Sequence, residues 1–179
     1  KGTVNVGDTV NYTITAVVPP AAAGYDTYKY TITDAASKGL NVAEDNANFT
    51  VVVKKGNADG TDKTLAKDTD YTLTQNGSAS DENGTVTTIA FPNVKDYAGK
   101  TIQVTYQGVV TSDAVDQVTN TATVKNNNDQ TGEGTTVVKK LGKFDFTKIG
   151  VGNDAEGLAG AEFKVSADKG KTIIKFSHD

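Results

Sequence analysis

Val10-Asn11-Tyr12-Thr13-Ile14-Thr15-Ala16-Val17-Val18, closed by Pro19-Pro20, alternates apolar and polar residues along most of its length. A period of two places one set of side chains on each face of an extended chain, which is the pattern of a half-buried β-strand. Similar runs follow at Tyr28-Tyr30-Ile32, Phe49-Val51-Val53, Tyr71-Leu73, Val86 to Phe91, Ile102-Val104-Tyr106 and Val118-Ala122-Val124. Thr and Val fill them, as strands prefer. Asp81-Glu82-Asn83-Gly84 marks a hairpin, because Asn-Gly accepts the positive φ of a tight turn. Only Ala35–Lys38 and Ser112–Val115 suggest helical turns. Short strands with regular turns predict an all-β, antiparallel immunoglobulin-like β-sandwich over residues 1–130.

Residues 131–142 are read as a linker, entered through the polar run from Asn126 to Thr135. A new pattern starts at Lys143-Phe144-Asp145-Phe146-Thr147-Lys148-Ile149 and reaches Leu158 to Val165. Residues 143–179 are too few to bury a sandwich core unaided, so they predict only the beginning of a second β-sandwich domain, incomplete here.

Composition narrows the function. The 179 residues include no Cys, no Met, no Trp and one His, His178. Disulfides and Cys/His metal sites are excluded, and a Ser–His or Cys–His hydrolase finds no placed base. No cofactor is expected. A hydrolase built on paired carboxylates also lacks a recognisable acid–base motif. The net charge is −4 without a basic cluster, which argues against a nucleic-acid partner. No run approaches the ~20 apolar residues of a membrane span. With no signal peptide and Lys1 at its start, the chain reads as a fragment whose targeting signals lie elsewhere. Asn57-Ala58-Asp59-Gly60-Thr61-Asp62 offers several oxygen ligands but no closing Glu, and reads as a β-turn. Tyr25 and Tyr28, beside the Pro-Pro loop, offer an adhesive surface or strand-end packing.

Three polar residues break the alternation. Asp34 is in phase with Tyr28, Tyr30 and Ile32; Asn120 with Val118, Ala122 and Val124; Lys148 with Phe144 and Phe146. Each either points inward or sits at a strand end and reaches water. An inward Lys, Asp and Asn in contact have a specific chemistry. Desolvation favours the neutral amine and the neutral carboxyl. The amine then attacks the Asn side-chain carbonyl, the carboxyl polarises that carbonyl and moves protons, and ammonia leaves a Lys–Asn isopeptide bond. Such a reaction happens once, so the protein is its own substrate and not an enzyme.

Val6-Gly7-Asp8-Thr9-Val10-Asn11-Tyr12-Thr13-Ile14, Tyr30-Thr31-Ile32-Thr33-Asp34 with Gly39-Leu40, Asp70-Tyr71-Thr72, Val104-Thr105-Tyr106 and Asn120-Thr121-Ala122 together resemble the fimbrial isopeptide-forming domain of sortase-assembled Gram-positive backbone pilins. Phe144-Asp145-Phe146-Thr147-Lys148 and Leu158-Ala159-Gly160-Ala161-Glu162-Phe163 resemble the opening strands of a collagen-adhesin B-type domain. The resemblance implies a subunit of a cell-wall-anchored, extracellular pilus, joined covalently head to tail by sortase to neighbouring pilin subunits. Host matrix or mucus ligands are implied as further partners. The alternative is an unpolymerised surface adhesin that binds a matrix protein such as collagen. It also implies roles: Asp34 as the acid that assists bond formation, Asn120 as the acyl partner, and Lys148 as the bond-forming lysine of the second domain, whose partner lies beyond Asp179. The first domain's lysine belongs on the strand before Gly7, where Lys1 stands alone out of phase with Val4 and Val6, so it is Lys1 or a residue upstream.

Overall fold

The computed structural model describes residues 3–44, 48–127 and 135–142, together with four short strands farther along the chain. Lys1 and Lys148 lie outside the described residues. The chain divides into two compact units, Lys1–Gly142 and Lys143–Asp179.

The first unit is built from β1 (Thr3–Val4), β2 (Thr9–Val17), β3 (Tyr30–Ala36), β4 (Leu40–Asn41), β5 (Thr50–Val53), β6 (Lys63–Thr64), β7 (Thr72–Gly77), β8 (Thr85–Phe91), β9 (Thr101–Val110), β10 (Gln117–Asn126) and β11 (Thr135–Leu141). One sheet runs β1-β11-β10-β3-β8-β7, and the other runs β2-β9-β5-β6 with β4 added beside β9. The all-β sandwich expected from the alternation is the architecture found. In β2 every second residue from Val10 to Ala16 is buried, as the period of two requires. Val51, Val53, Ile102, Val104 and Tyr106 continue that inner face. Tyr30, Ile32, Leu73, Ile89, Phe91 and Val118 oppose it from the six-stranded sheet. Full burial of each large side chain contributes about 1.5–3 kcal/mol. The Tyr30 hydroxyl donates to the Val17 carbonyl across the sandwich, at 3.0 Å.

Two expectations are corrected. The segment 131–142, read as a linker, contains β11, which pairs antiparallel with β10 and parallel with β1. Its Thr-Thr-Val-Val-Lys-Lys-Leu sequence does not alternate. Partners on both flanks satisfy its backbone regardless, and these pairings are non-local. The single-turn helices fall at Pro20–Gly24 and Lys95–Tyr97 rather than at Ala35–Lys38 and Ser112–Val115. Pro20 fixes the φ that starts the first of these, while Ala35 and Ala36 complete β3.

The second unit contains β12 (Ile149–Gly150) paired with β13 (Asn153–Gly157), and β14 (Val165–Ser166) paired with β15 (Ile173–Ile174), all antiparallel.

The turn from β7 to β8 ends at Gly84, whose φ is +66°. A Cβ there would stand 2.0 Å from the Ala36 carbonyl oxygen, whereas at Gly7, with φ +91°, it would meet nothing within 4 Å. Gly7→Ala therefore carries only left-handed backbone strain, about 1–2 kcal/mol. Gly84→Ala adds a clash with β3 and should cost clearly more. Urea melts of the two variants check the ordering; equal losses would show that the β3 contact yields freely.

Candidate functional site

Among the described residues the buried polar side chains are Asp34, Thr85, Thr87 and Asn120. Asp34 and Asn120 are 1% and 3% exposed. Both sit on the inner face of the six-stranded sheet, on neighbouring strands. In the β3–β10 register Asp34 pairs with Ala122 and Asn120 with Ala36, so the two are diagonal neighbours on one face. Of the two positions open from the sequence, inward or strand end, both residues take the inward one.

The residue that joins them comes from the opposite sheet. Tyr106 of β9 donates its hydroxyl proton to Asp34 Oδ1 at 2.6 Å. Asn120 Nδ2 donates to the same hydroxyl oxygen at 2.7 Å. The Tyr106 ring is held on both sides. Tyr12, its cross-strand partner in β2, stacks at 5.4 Å between centroids, and Phe49 stacks at 5.0 Å. Alternation placed Tyr106 inward with Ile102 and Val104, but sequence reasoning gave it no role in the site. The available signal was chemical: a buried tyrosine hydroxyl needs a partner.

Three polar atoms of this cluster have no hydrogen-bond partner among the described residues: Asp34 Oδ2, Asn120 Oδ1 and the Tyr12 hydroxyl. An unsatisfied buried polar group costs about 1–3 kcal/mol, so the cluster favours any group that supplies donors to the two side-chain oxygens. An amine is such a group.

Burial pushes the Asp34 carboxyl up to about 6, while hydrogen bonding to Tyr106 and Asn120 holds it partly back. Burial also raises Tyr106, with the Asp34 charge and the bond to Asp34 adding to the effect. Tyr12 is pushed up to about 12, first by burial and then by the Asp34 charge. The two tyrosines therefore stay neutral at any ordinary pH, and Asp34 is the group that titrates.

The other oxygen-rich segment is self-satisfied. Asp59 Oδ1 accepts from the Thr61 backbone N–H and hydroxyl, and Asp62 accepts from the Lys55 N–H and pairs with the Lys54 ammonium. Tyr28 is buried, while Tyr25 packs edge-on against it at 5.2 Å and is 41% exposed.

The profile of the family described as Gram-positive pilin backbone subunit 2, Cna-B-like domain, matches residues 6–135. The chain belongs to this family. Among solved structures it is similar to the N-terminal domain of the Streptococcus gordonii adhesin Sgo0707, with TM-score 0.56 and 18% identity, over 79% of this chain and 30% of that one. It is similar to a variant of BcpA, the major pilin subunit of Bacillus cereus, with TM-score 0.52 and 17% identity, over 78% of this chain and 36% of that one. It is also similar to the full-length RrgB pilus protein of Streptococcus pneumoniae, with TM-score 0.50 and 24% identity, over 71% of this chain and 19% of that one. The chain thus spans well under half the length of each. No curated protein sequence matches. Among the described residues no helix is long and apolar enough to cross a membrane.

The titration of Asp34 gives a measurable pH dependence. Its folded value lies above its unfolded one, so its contribution is fully present below about pH 4 and is lost as pH rises through about 6. The rise from 3.8 to about 6 corresponds to about 3 kcal/mol. In a chain without a crosslink, urea unfolding should show lower stability at pH 7 than at pH 4 from this group. Asp34→Asn should remove that component; an unchanged pH profile in the variant would assign it to another carboxyl.

Proposed function

We propose that residues 1–142 form a self-crosslinking structural domain of a pilus subunit, and that Asp34 and Asn120 are the acid and the acyl partner of an intramolecular Lys–Asn isopeptide bond. The observation that carries this reading is the buried Asp34–Asn120 pair with two unpartnered oxygens, Asp34 Oδ2 and Asn120 Oδ1. A lysine ammonium entering the pocket gives a proton to Asp34 Oδ2 and becomes a neutral amine. Its Nζ then bonds to Asn120 Cγ, the Cγ–Nδ2 bond breaks, and ammonia leaves. Desolvation favours the neutral pair, and the fold fixes the attack geometry.

The lysine is Lys1 or a residue preceding it. β1 pairs with β11 from Thr3↔Lys140 onward, and β11 pairs with β10 at Val137↔Asn120. β1 and Asn120 therefore flank the same strand, β11. A bond between the first strand and β10 closes a loop of about 100 residues, for which the chain-entropy model gives about 4.7 kcal/mol. That is a large share of an ordinary stability of about 5–15 kcal/mol, and a chain without cysteine has no disulfide to do the same.

In the whole protein this domain serves as a shaft unit, linked by sortase to its neighbours outside the cell and anchored to the wall. Residues 143–179 open a second domain of the collagen-adhesin B type, in which Lys148 bonds to an Asn supplied by a later strand. Affinity for host matrix belongs to the assembled fibre.

Intact mass of the full-length protein should fall short of the sequence mass by one ammonia for each bond formed. Asn120→Ala and Asp34→Ala should each restore the mass of one ammonia, lower the melting temperature and increase trypsin sensitivity. Peptide mapping should join Asn120 to a first-strand lysine. A wild-type mass equal to the sequence mass would defeat the crosslink. A protein that binds collagen as a monomer and yields no ladder of covalent polymers on a denaturing gel would make it an adhesin instead.

A further inference from the structure

The cluster contains more than an acid and an amide. Tyr106 contacts the nitrogen that must depart. Its single hydroxyl proton is committed to Asp34 Oδ1, so toward Asn120 the hydroxyl oxygen is an acceptor, and the amide must present Nδ2 rather than Oδ1. One side chain thereby orients the carboxamide, leaving Oδ1 toward the unpartnered side of the pocket, and separates the carboxyl from the leaving group.

We infer that Tyr106 is a catalytic residue of the crosslinking reaction: its hydroxyl relays a proton from Asp34 to Asn120 Nδ2 as ammonia leaves. This rests on the isopeptide reading above. When the amine Nζ bonds to Asn120 Cγ, Asn120 Oδ1 takes the proton on Asp34 Oδ2, and Nζ returns one of its own protons to Asp34 Oδ1. The carbon is then tetrahedral, and Nδ2 has gained a lone pair. Both hydrogen bonds of Tyr106 reverse: Asp34 Oδ1–H donates to the hydroxyl oxygen, and the hydroxyl proton passes to Nδ2. The Cγ–Nδ2 bond breaks, ammonia departs, and the proton on Oδ1 returns to Asp34 as the carbonyl re-forms. Tyr106 is neutral before and after. Its ring cannot swing away, because Tyr12 and Phe49 stack on its two faces at 5.4 and 5.0 Å.

The surroundings of Asp34 support the same assignment. The groups facing it are Tyr106 from β9, Tyr12 from β2, Asn120 from β10 and, paired with it in β8, the uncharged Thr87. Tyr106 is thus the donor that stabilises the charged carboxylate. Its removal moves the Asp34 titration upward.

Bond formation is followed by intact mass in the full-length chain, made by cell-free synthesis and sampled over time between about pH 5 and pH 9, a range that brackets a general acid of this kind. Tyr106→Phe keeps the stacked ring and removes the relay. It should slow ammonia loss by about 100-fold, the size of a lost general acid. The fall in rate with rising pH should also move to higher pH. A rate equal to wild type overturns the relay, and so does a slowing that disappears on the low-pH plateau, because a purely structural hydroxyl would move the Asp34 titration yet leave the rate of the protonated form unchanged. The wild-type chain supplies a measurement that needs no variant to fold: in mixtures of H2O and D2O its rate should curve with deuterium fraction, because two protons move together, and a straight line overturns the relay. The Asn120→Ala chain separates the two readings. If wild type and Asn120→Ala have the masses of their unmodified sequences, crosslinking itself fails and the relay with it; if wild type loses ammonia and Tyr106→Phe matches it, only the relay fails.

Discussion

A carboxyl group enclosed between two β-sheets needs a donor, and Tyr106 supplies it from the opposite sheet. That single contact at 2.6 Å ties the six-stranded sheet to the five-stranded one at a polar point within an apolar core. Much of the surrounding architecture serves to place it. The β2–β9 register sets Tyr12 opposite Tyr106, the entry to β5 brings Phe49 against the other face of the ring, and the β3–β10 register sets Asp34 and Asn120 on one diagonal. A slip of one residue in β3 or β10 would turn Asp34 or Asn120 out to solvent. The alternation of Tyr30 and Ile32, and of Val118, opposes such a slip, because it would expose those apolar side chains as well.

The cluster is electrostatically unfinished. Apolar burial of Ile32, Val104 and Val118 stabilises the sandwich, while Asp34 and Asn120 each leave an oxygen unpaired in the same layer. A fold selected for stability alone would fill these positions with Val or Ile. The proposed crosslink accounts for the retention of Asp34 and Asn120, because it gives both oxygens a partner.

Much of this was legible from the sequence because period two is a local property. The strands β2, β3, β8, β9 and β10 announce themselves in their own residues, and Asp34 and Asn120 stand out as polar side chains in apolar phase. Tyr106 escaped notice for the opposite reason: its ring satisfies the apolar pattern, and its hydroxyl adds no signal to it. The β11 strand was missed because Thr135 to Leu141 has no alternation, and because its two partners, β1 and β10, lie far away in sequence or across a polar run. The positions of Asp34 and Asn120 on one diagonal, rather than merely both inside, depend on a register that composition does not encode.

The parallel pairing of β1 with β11 has a mechanical consequence. These two strands lie nearest the two ends of the first unit, and they run side by side in the same direction. A pull applied to the ends draws β1 backward and β11 forward, along the strand axis rather than across it. The hydrogen bonds that join them are then loaded together in shear, so they resist as a group instead of parting one after another like the teeth of a zip. Strand direction, fixed by topology alone, thus orients the bonds at this edge of the unit so that they resist best along the line of traction.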